Sequence, residues 1–281
     1  MTVDISALEK WIGKTETVAD ALPVFQARAL AATLDREDAP AAGDALPPLW
    51  HWVYFADVFG NAALMENGHR RLGDFLPPVP LPRRMFGGAK LSFLRPLRLG
   101  EPAQCATTLA DVSVKQGKSG TMVVLKLRKA YSMSGSAAIV EEQDAVYREA
   151  PRPGEAPAAP IAPPTGALWT REVRFNEAIL FRYSALLFNA YRIHYDRPFA
   201  ESQGYAGLVV HGQLIATHLA DLLRRHTDRA VASFQYRSVR PLVDTSPCRL
   251  RGLPDGDTVR LWAEDGDGAL LVDARAELAS N

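Results

Sequence analysis

The chain has 281 residues, 47% of them hydrophobic, and sets 32 Lys and Arg against 32 Asp and Glu. That length suits one large domain or two ordinary ones, the apolar content argues against disorder, and zero net charge removes any general field for nucleic acid or an anionic membrane. Cys105 and Cys248 are too few for a disulfide framework, the N-terminus is charged from its start, and no window reaches the ~20 apolar residues of a membrane span. The expectation is a cytoplasmic protein with neither nucleic acid nor membrane as partner.

In chain order, the Trp- and Phe-rich stretch Pro47 to Asn61 is a weak helix candidate. Phe93-Leu94-Arg95-Pro96-Leu97 then leads into β-rich runs at Gln104 to Val114, Met122 to Ala130 and Ala137 to Arg148. Gln116-Gly117-Lys118-Ser119-Gly120 supplies a turn between the first two. From Ala150 to Thr165 the chain reads as a Pro/Ala-rich linker, dividing a first half (1–149) from a second (166–281).

Asn176 is placed to cap a helix over Glu177 to Phe188, with Ile179, Leu180, Tyr183, Leu186 and Leu187 on one face. A second apolar stripe, Leu214, Ile215, His218, Leu219, Leu222 and Leu223, predicts a long helix that ends in Arg224, Arg225 and His226, where cations suit the helix dipole. Ser238-Val239-Arg240-Pro241-Leu242 follows, and then strands at Cys248 to Leu253, Thr258 to Ala263 and Leu270 to Leu278. Both Arg-Pro-Leu segments have a second proline six residues after the first, at Pro102 and Pro247. The matching strand order behind each segment points to an internal duplication.

Polar groups concentrate between the two helices of the second half, in Asn189-Ala190-Tyr191-Arg192-Ile193-His194-Tyr195-Asp196-Arg197-Pro198. Side chains five apart on a helix lie ~140° apart, so Asn189 and His194 can converge only if the chain leaves the helix after Asn189. Asp196 followed by Pro198 reads as an N-cap. Further on, Gly204-Tyr205-Ala206-Gly207-Leu208-Val209-Val210-His211-Gly212 precedes the long helix. Its glycines either permit tight packing or expose helix N–H groups to a carbonyl oxygen.

Together, the 189–198 stretch and Gly207 to Gly212 resemble the hydratase 2 motif of MaoC-like proteins, Asp-x-Asn-Pro-aliphatic-His followed by a helix that starts near His-Gly. Pro47 to Trp52, Pro82 to Gly88 and Glu141-Glu142-Gln143-Asp144 resemble the branch containing type 2 hydroxyacyl-thioester dehydratases and mesaconyl-C4-CoA (3-methylfumaryl-CoA) hydratases. The resemblance covers about residues 20 to 280. It implies an α+β double hot-dog, each half a long helix wrapped by an antiparallel sheet, and reversible addition of water to an α,β-unsaturated acyl thioester. The substrate class would extend to mesaconyl-C4-CoA, giving citramalyl-CoA.

This chain departs from the motif in having Asn189 where it has Asp, and Tyr191 and Arg192 where it has Asn and Pro. A neutral amide cannot act as a base. The resemblance therefore makes His194 the base that activates water, Asn189 the group that positions it, the Gly212 N–H the oxyanion donor and Tyr191 an additional donor. Arg83, Arg84, Arg192, Arg197 and His211 are the substrate-binding candidates, the arginines for phosphate or carboxylate, although each arginine could equally be a solvated surface charge. His211, His218 and His226 recur too far apart for converging metal ligands, so neither metal nor cofactor is expected. The partner is an acyl-CoA or acyl carrier protein thioester, and a homodimer is compatible with the sequence. A thioesterase and a non-catalytic acyl-thioester binding protein are the rival readings. The first half, lacking an Asn/Asp-x(4)-His stretch, is expected to be catalytically silent and to house the acyl group.

Overall fold

A computed structural model of the chain describes residues 3–117, 120–150 and 159–280. Helix α1 (Ile5–Glu9), β1 (Thr15–Asp20) and α2 (Val24–Thr33) come first, followed by four strands of the first half. These are β2 (Arg83–Phe93), β3 (Ala103–Gly117), β4 (Gly120–Met133) and β5 (Ser136–Arg148). The second half contains β6 (Trp169–Val173), α3 (Glu177–Leu187), α4 (Arg197–Ser202), α5 (Gly212–Arg224), β7 (Val231–Ser238), β8 (Cys248–Asp255), β9 (Thr258–Glu264) and β10 (Leu270–Leu278). The strand expectations hold to within a few residues, and Asn176 caps α3 by accepting from the Ile179 N–H at 3.0 Å. Part of the 116–120 turn and residues 151–158 of the linker lie outside the described residues. At the linker's far end, Ile161 O accepts from Leu270 N at 2.9 Å.

Among the described residues, ten strands form one antiparallel sheet in the order β1-β3-β4-β5-β2-β7-β10-β9-β8-β6. The order is a palindrome about the β2–β7 pair, in which Ala89 faces Tyr236 and Leu91 faces Phe234. The two Arg-Pro-Leu segments occupy equivalent places. Leu94 and Arg95 N–H donate to Ala138 O, as Val239 and Arg240 N–H donate to Leu271 O. Leu97 O then accepts from Leu46 N at 2.7 Å, and Leu242 O from Val210 N at 2.9 Å. The duplication therefore exists in the hydrogen bonding as well as in the tripeptide.

The halves part company after those equivalent residues. In the second half His211-Gly212 opens α5, whose thirteen residues are buried from Leu214 to Leu223 beneath β8, β9 and β10. In the first half the corresponding Pro47-Pro48 leads only to a 3₁₀ turn, Trp50–Val53. The expected long helix is thus present in one half only. A proline ring locks φ and removes an N–H, and here Leu49 adopts φ 68° before the turn. Trp50, Trp52, Val53 and Tyr54 are buried in the core where a helix would have run.

Candidate active site

Helix α3 terminates at Phe188, which takes the left-handed conformation at φ 52°. Phe188 N–H returns to Ala185 O and Asn189 N–H to Ser184 O at 2.8 Å, the two bonds of a Schellman motif built without glycine. The chain thus leaves the helix before Asn189 rather than after it, and both Asn189 and His194 border one cavity. Asn189 Oδ1 then accepts from Tyr191 N–H at 3.0 Å, and a 3₁₀ turn over Arg192–His194 carries His194 into the interior. The first half clamps this loop from outside. Arg192 N–H donates to Asn67 O at 3.0 Å, and Gly68, at φ +92°, lies so close that a Cβ there would fall 1.7 Å from Ala190 O.

His194 is buried, with Nδ1 2.6 Å from Val209 O. A carbonyl only accepts, so Nδ1 carries the proton and Nε2 is the basic nitrogen. Burial, partly opposed by the Val209 bond, pushes the imidazole pKa down to about 4. The ring stacks on His211 with centroids 3.6 Å apart and meets the Tyr191 ring edge-on at 5.7 Å. His211 caps α5 through its backbone, lies 2.9 Å by Nε2 from Ser184 Oγ, and is held well below the usual imidazole range by burial and by His194. Burial moves the Tyr191 phenol the other way, up to about 12, so it is a donor at neutral pH.

These groups border a cavity of about 750 Å³ that runs into the first half. Its walls include Asn189, Tyr191, His194, His211 and Gly212 on one side, and Trp52, Phe55, Arg84, Cys105, Lys129 and Tyr131 on the other. Gly212 begins α5, and the first N–H groups of a helix have no partner within it. Asn189 reaches the cavity with its oxygen already engaged by Tyr191 N–H, which leaves the amide NH₂ as its free donor. Among the described residues no group of three or more His, Cys, Asp and Glu side chains is arranged to hold a metal ion.

The candidate arginines separate. Arg84 lines the cavity and acts electrostatically on His69 and Tyr191. Arg83 lies over the Tyr205 ring at 4.8 Å, outside the lining. Arg192 pairs with Asp196 at 2.7 Å and covers Phe199, and Arg197 pairs with Asp244 at 2.6 Å and Glu177 at 2.7 Å. Both are ion-paired ties between neighbouring segments, and neither Arg192 nor Arg197, expected as substrate-binding residues, is among those that line the cavity. Asp196 caps α4, accepting from Phe199 N–H at 3.1 Å.

Two arrangements in the first half carry no role in the sequence reading, although the second joins two of its motif segments, Pro47 to Trp52 and Glu141 to Asp144. His69 stacks on Tyr191 at 3.9 Å, and burial, then Arg84 and His194, push its pKa down to about 2. No spacing links His69 to a loop more than a hundred residues away. The second feature is Glu141, fully buried, which accepts from Trp52 Nε1 at 3.2 Å and Tyr131 OH at 2.9 Å, with His51 Nε2 3.4 Å away. Burial opposes its ionisation, but the His51 bond, Lys129 and Tyr131 together hold its pKa below the usual carboxylate value. The tetrad braces the Trp52 and Tyr131 rings that wall the cavity.

A duplicated hot-dog sheet around one buried helix, with a histidine and a helix N-terminus facing a long cavity, defines a MaoC-like double hot-dog protein. The family model for hydroxyacyl-thioester dehydratase type 2 matches residues 49–244, and the chain belongs to that family. It is 45% identical over 270 residues to a mesaconyl-C(4)-CoA hydratase of Chloroflexus aurantiacus, covering 95% of this chain and 96% of that protein. A solved MaoC-like dehydratase superimposes with a TM-score of 0.73 at 15% identity, over 98% of this chain and all of the other. A double-hotdog protein of Mycobacterium tuberculosis does so with a TM-score of 0.63 at 14% identity, over 95% and 96% of the two chains.

Proposed function

We propose that this protein is a hydro-lyase that adds water reversibly to an α,β-unsaturated acyl-CoA, with mesaconyl-C4-CoA to citramalyl-CoA as the leading reaction. The observation that carries the chemistry is His194: Nδ1 is pinned to Val209 O, so a neutral Nε2 is available on a cavity that also reaches the start of α5. In the hydration direction water attacks the β-carbon, and its proton passes to His194 Nε2. The C=C π pair moves toward the thioester oxygen as an enolate, and the proton returns to the α-carbon, so the sum is one water added. The Gly212 N–H faces the developing negative charge, where a preorganised donor is worth most. The acyl group extends into the first half, which acts as a silent partner shaping the pocket with His69, Trp52 and Tyr131.

The likeness to the Chloroflexus enzyme supports a dicarboxylic acyl group. Arg84 is the candidate anchor for its carboxylate, because a buried carboxylate needs a charged partner and Arg192 and Arg197 already have theirs. The test follows the enoyl conjugation band on addition of enzyme to mesaconyl-C4-CoA and crotonyl-CoA. A loss of absorbance with the first and a lower specificity constant with the second is expected, and Arg84→Gln should erase the difference. Equal constants for both would rule out a carboxylate site, and no change with any enoyl thioester would rule out hydration.

A further inference from the structure

We propose that Ser238 is a second donor to the thioester oxygen, acting beside the Gly212 N–H. This inference rests on the hydratase reading and extends it to a residue at the end of β7. Three observations place it there.

First, Ser238 lines the cavity, yet its hydroxyl is enclosed and has no hydrogen-bond partner in the protein. A buried hydroxyl without a partner costs stability. Such a group at a cavity wall has a use if a ligand completes it. Second, Ser238 Oγ lies 3.1 Å from the point a Cβ on residue 212 would occupy. The absence of a side chain at Gly212 therefore leaves the Ser238 hydroxyl and the first N–H of α5 adjoining the same small space. Two donors converging on one point are what a developing oxyanion requires.

Third, the internal duplication supplies its own control. The residue equivalent to Ser238 in the first half is Phe93, at the end of β2 and two residues before the matching Arg95-Pro96. There the partner segment is Pro47-Pro48, with no helix N-terminus to work with. The half that retains α5 has the hydroxyl, and the half that lost the helix fills the position with an aromatic ring.

In the proposed step Ser238 transfers no proton. Its O–H turns toward the thioester oxygen as the π pair arrives and relaxes when the α-carbon is protonated. The contact strengthens with charge, so its loss falls on kcat rather than on KM. Ser238→Ala should lower kcat about 10²-fold with KM changed less than about threefold. Its melting temperature should equal or exceed that of the wild type, since an unsatisfied group has been removed. Ser238→Thr, which keeps the hydroxyl, should recover most of the rate. The nearly isosteric Ser238→Cys, a weaker donor that preserves packing, should be impaired like Ala and serves as the readout if Ala does not fold. An active wild type whose folded Ala and Cys variants keep full kcat overturns the assignment of Ser238 while leaving hydration intact. A wild type inactive on every enoyl thioester overturns both.

Discussion

The two halves share a strand order and a hydrogen-bonding scheme but fill their concavities in opposite ways. In the second half the space under the sheet is taken by α5, and Ala274 on β10, a strand packed on that helix, is apolar and buried. The equivalent position on β5 is Glu141, a buried carboxylate held by Trp52, Tyr131 and His51. With no helix to pack, the first half uses aromatic rings, and rings tied at one end to a charge leave an open arm of cavity. In the proposed reaction the half that keeps the helix terminus supplies the oxyanion donor, and the half without it contains the acyl group.

The comparison breaks most readily at His194. Replacement by Ala should lower turnover at least ~10²-fold in protein that still folds, measured at saturating enoyl-CoA. Near-wild-type activity would move the base elsewhere. No equivalent loss is expected in the first half: His69→Ala should raise KM by several-fold through the lost Tyr191 contact and leave kcat within a factor of about three.

Next in size is the first-half tetrad. Glu141→Ala strands Trp52 Nε1, Tyr131 OH and His51 without their shared acceptor, and should cost about 3–5 kcal/mol in urea unfolding. The His51→Gln and Glu141→Gln pair should be less damaging together than the sum of the singles, because the groups act as a unit. Simple additivity would mean that the tetrad does not brace the cavity wall.

The halves should also differ in their response to acid. His194, His211 and His218 of the second half, and His69 of the first, are held below the ordinary imidazole value chiefly by burial. The unfolded chain takes up protons near pH 6.5 while these groups stay neutral in the fold, so stability is greatest above that pH. It should erode as pH falls through the window from about 6.5 to 4 for His194 and further for the others. Hydrogen exchange at pH 5 should show opening around α5 before the β3–β4–β5 meander. Turnover, which in the proposed mechanism uses neutral His194, should hold level through neutrality and fall only as pH approaches about 4. The smallest effect is expected at Asn189→Asp, where the new carboxylate can still accept from Tyr191 N–H and stability should change by less than about 1 kcal/mol.

Much of this architecture is written locally. Period-two runs, the Asn176 cap, the apolar stripe from Leu214 to Leu223 and the paired Arg-Pro-Leu segments specify strands, helices and their repetition, because each depends on residues a few positions apart. The polar loop around His194 stands out for the same reason: polar side chains between two apolar helices need a purpose. What the chain could not disclose by itself is everything that depends on the β2–β7 seam. That pairing joins the halves into one sheet and brings His69 onto Tyr191, Asn67 onto Arg192 and Arg84 to the cavity. It also took tertiary structure to show that Arg192 and Arg197 are spent on Asp196 and Asp244, since an arginine's role is set by which carboxylate it meets. The missing first-half helix belongs to the same class. Pro47-Pro48 warned against a helix, but only packing decided that Trp50, Trp52 and a buried Glu141 would fill its place, because a core is chosen by what all of its neighbours leave unfilled.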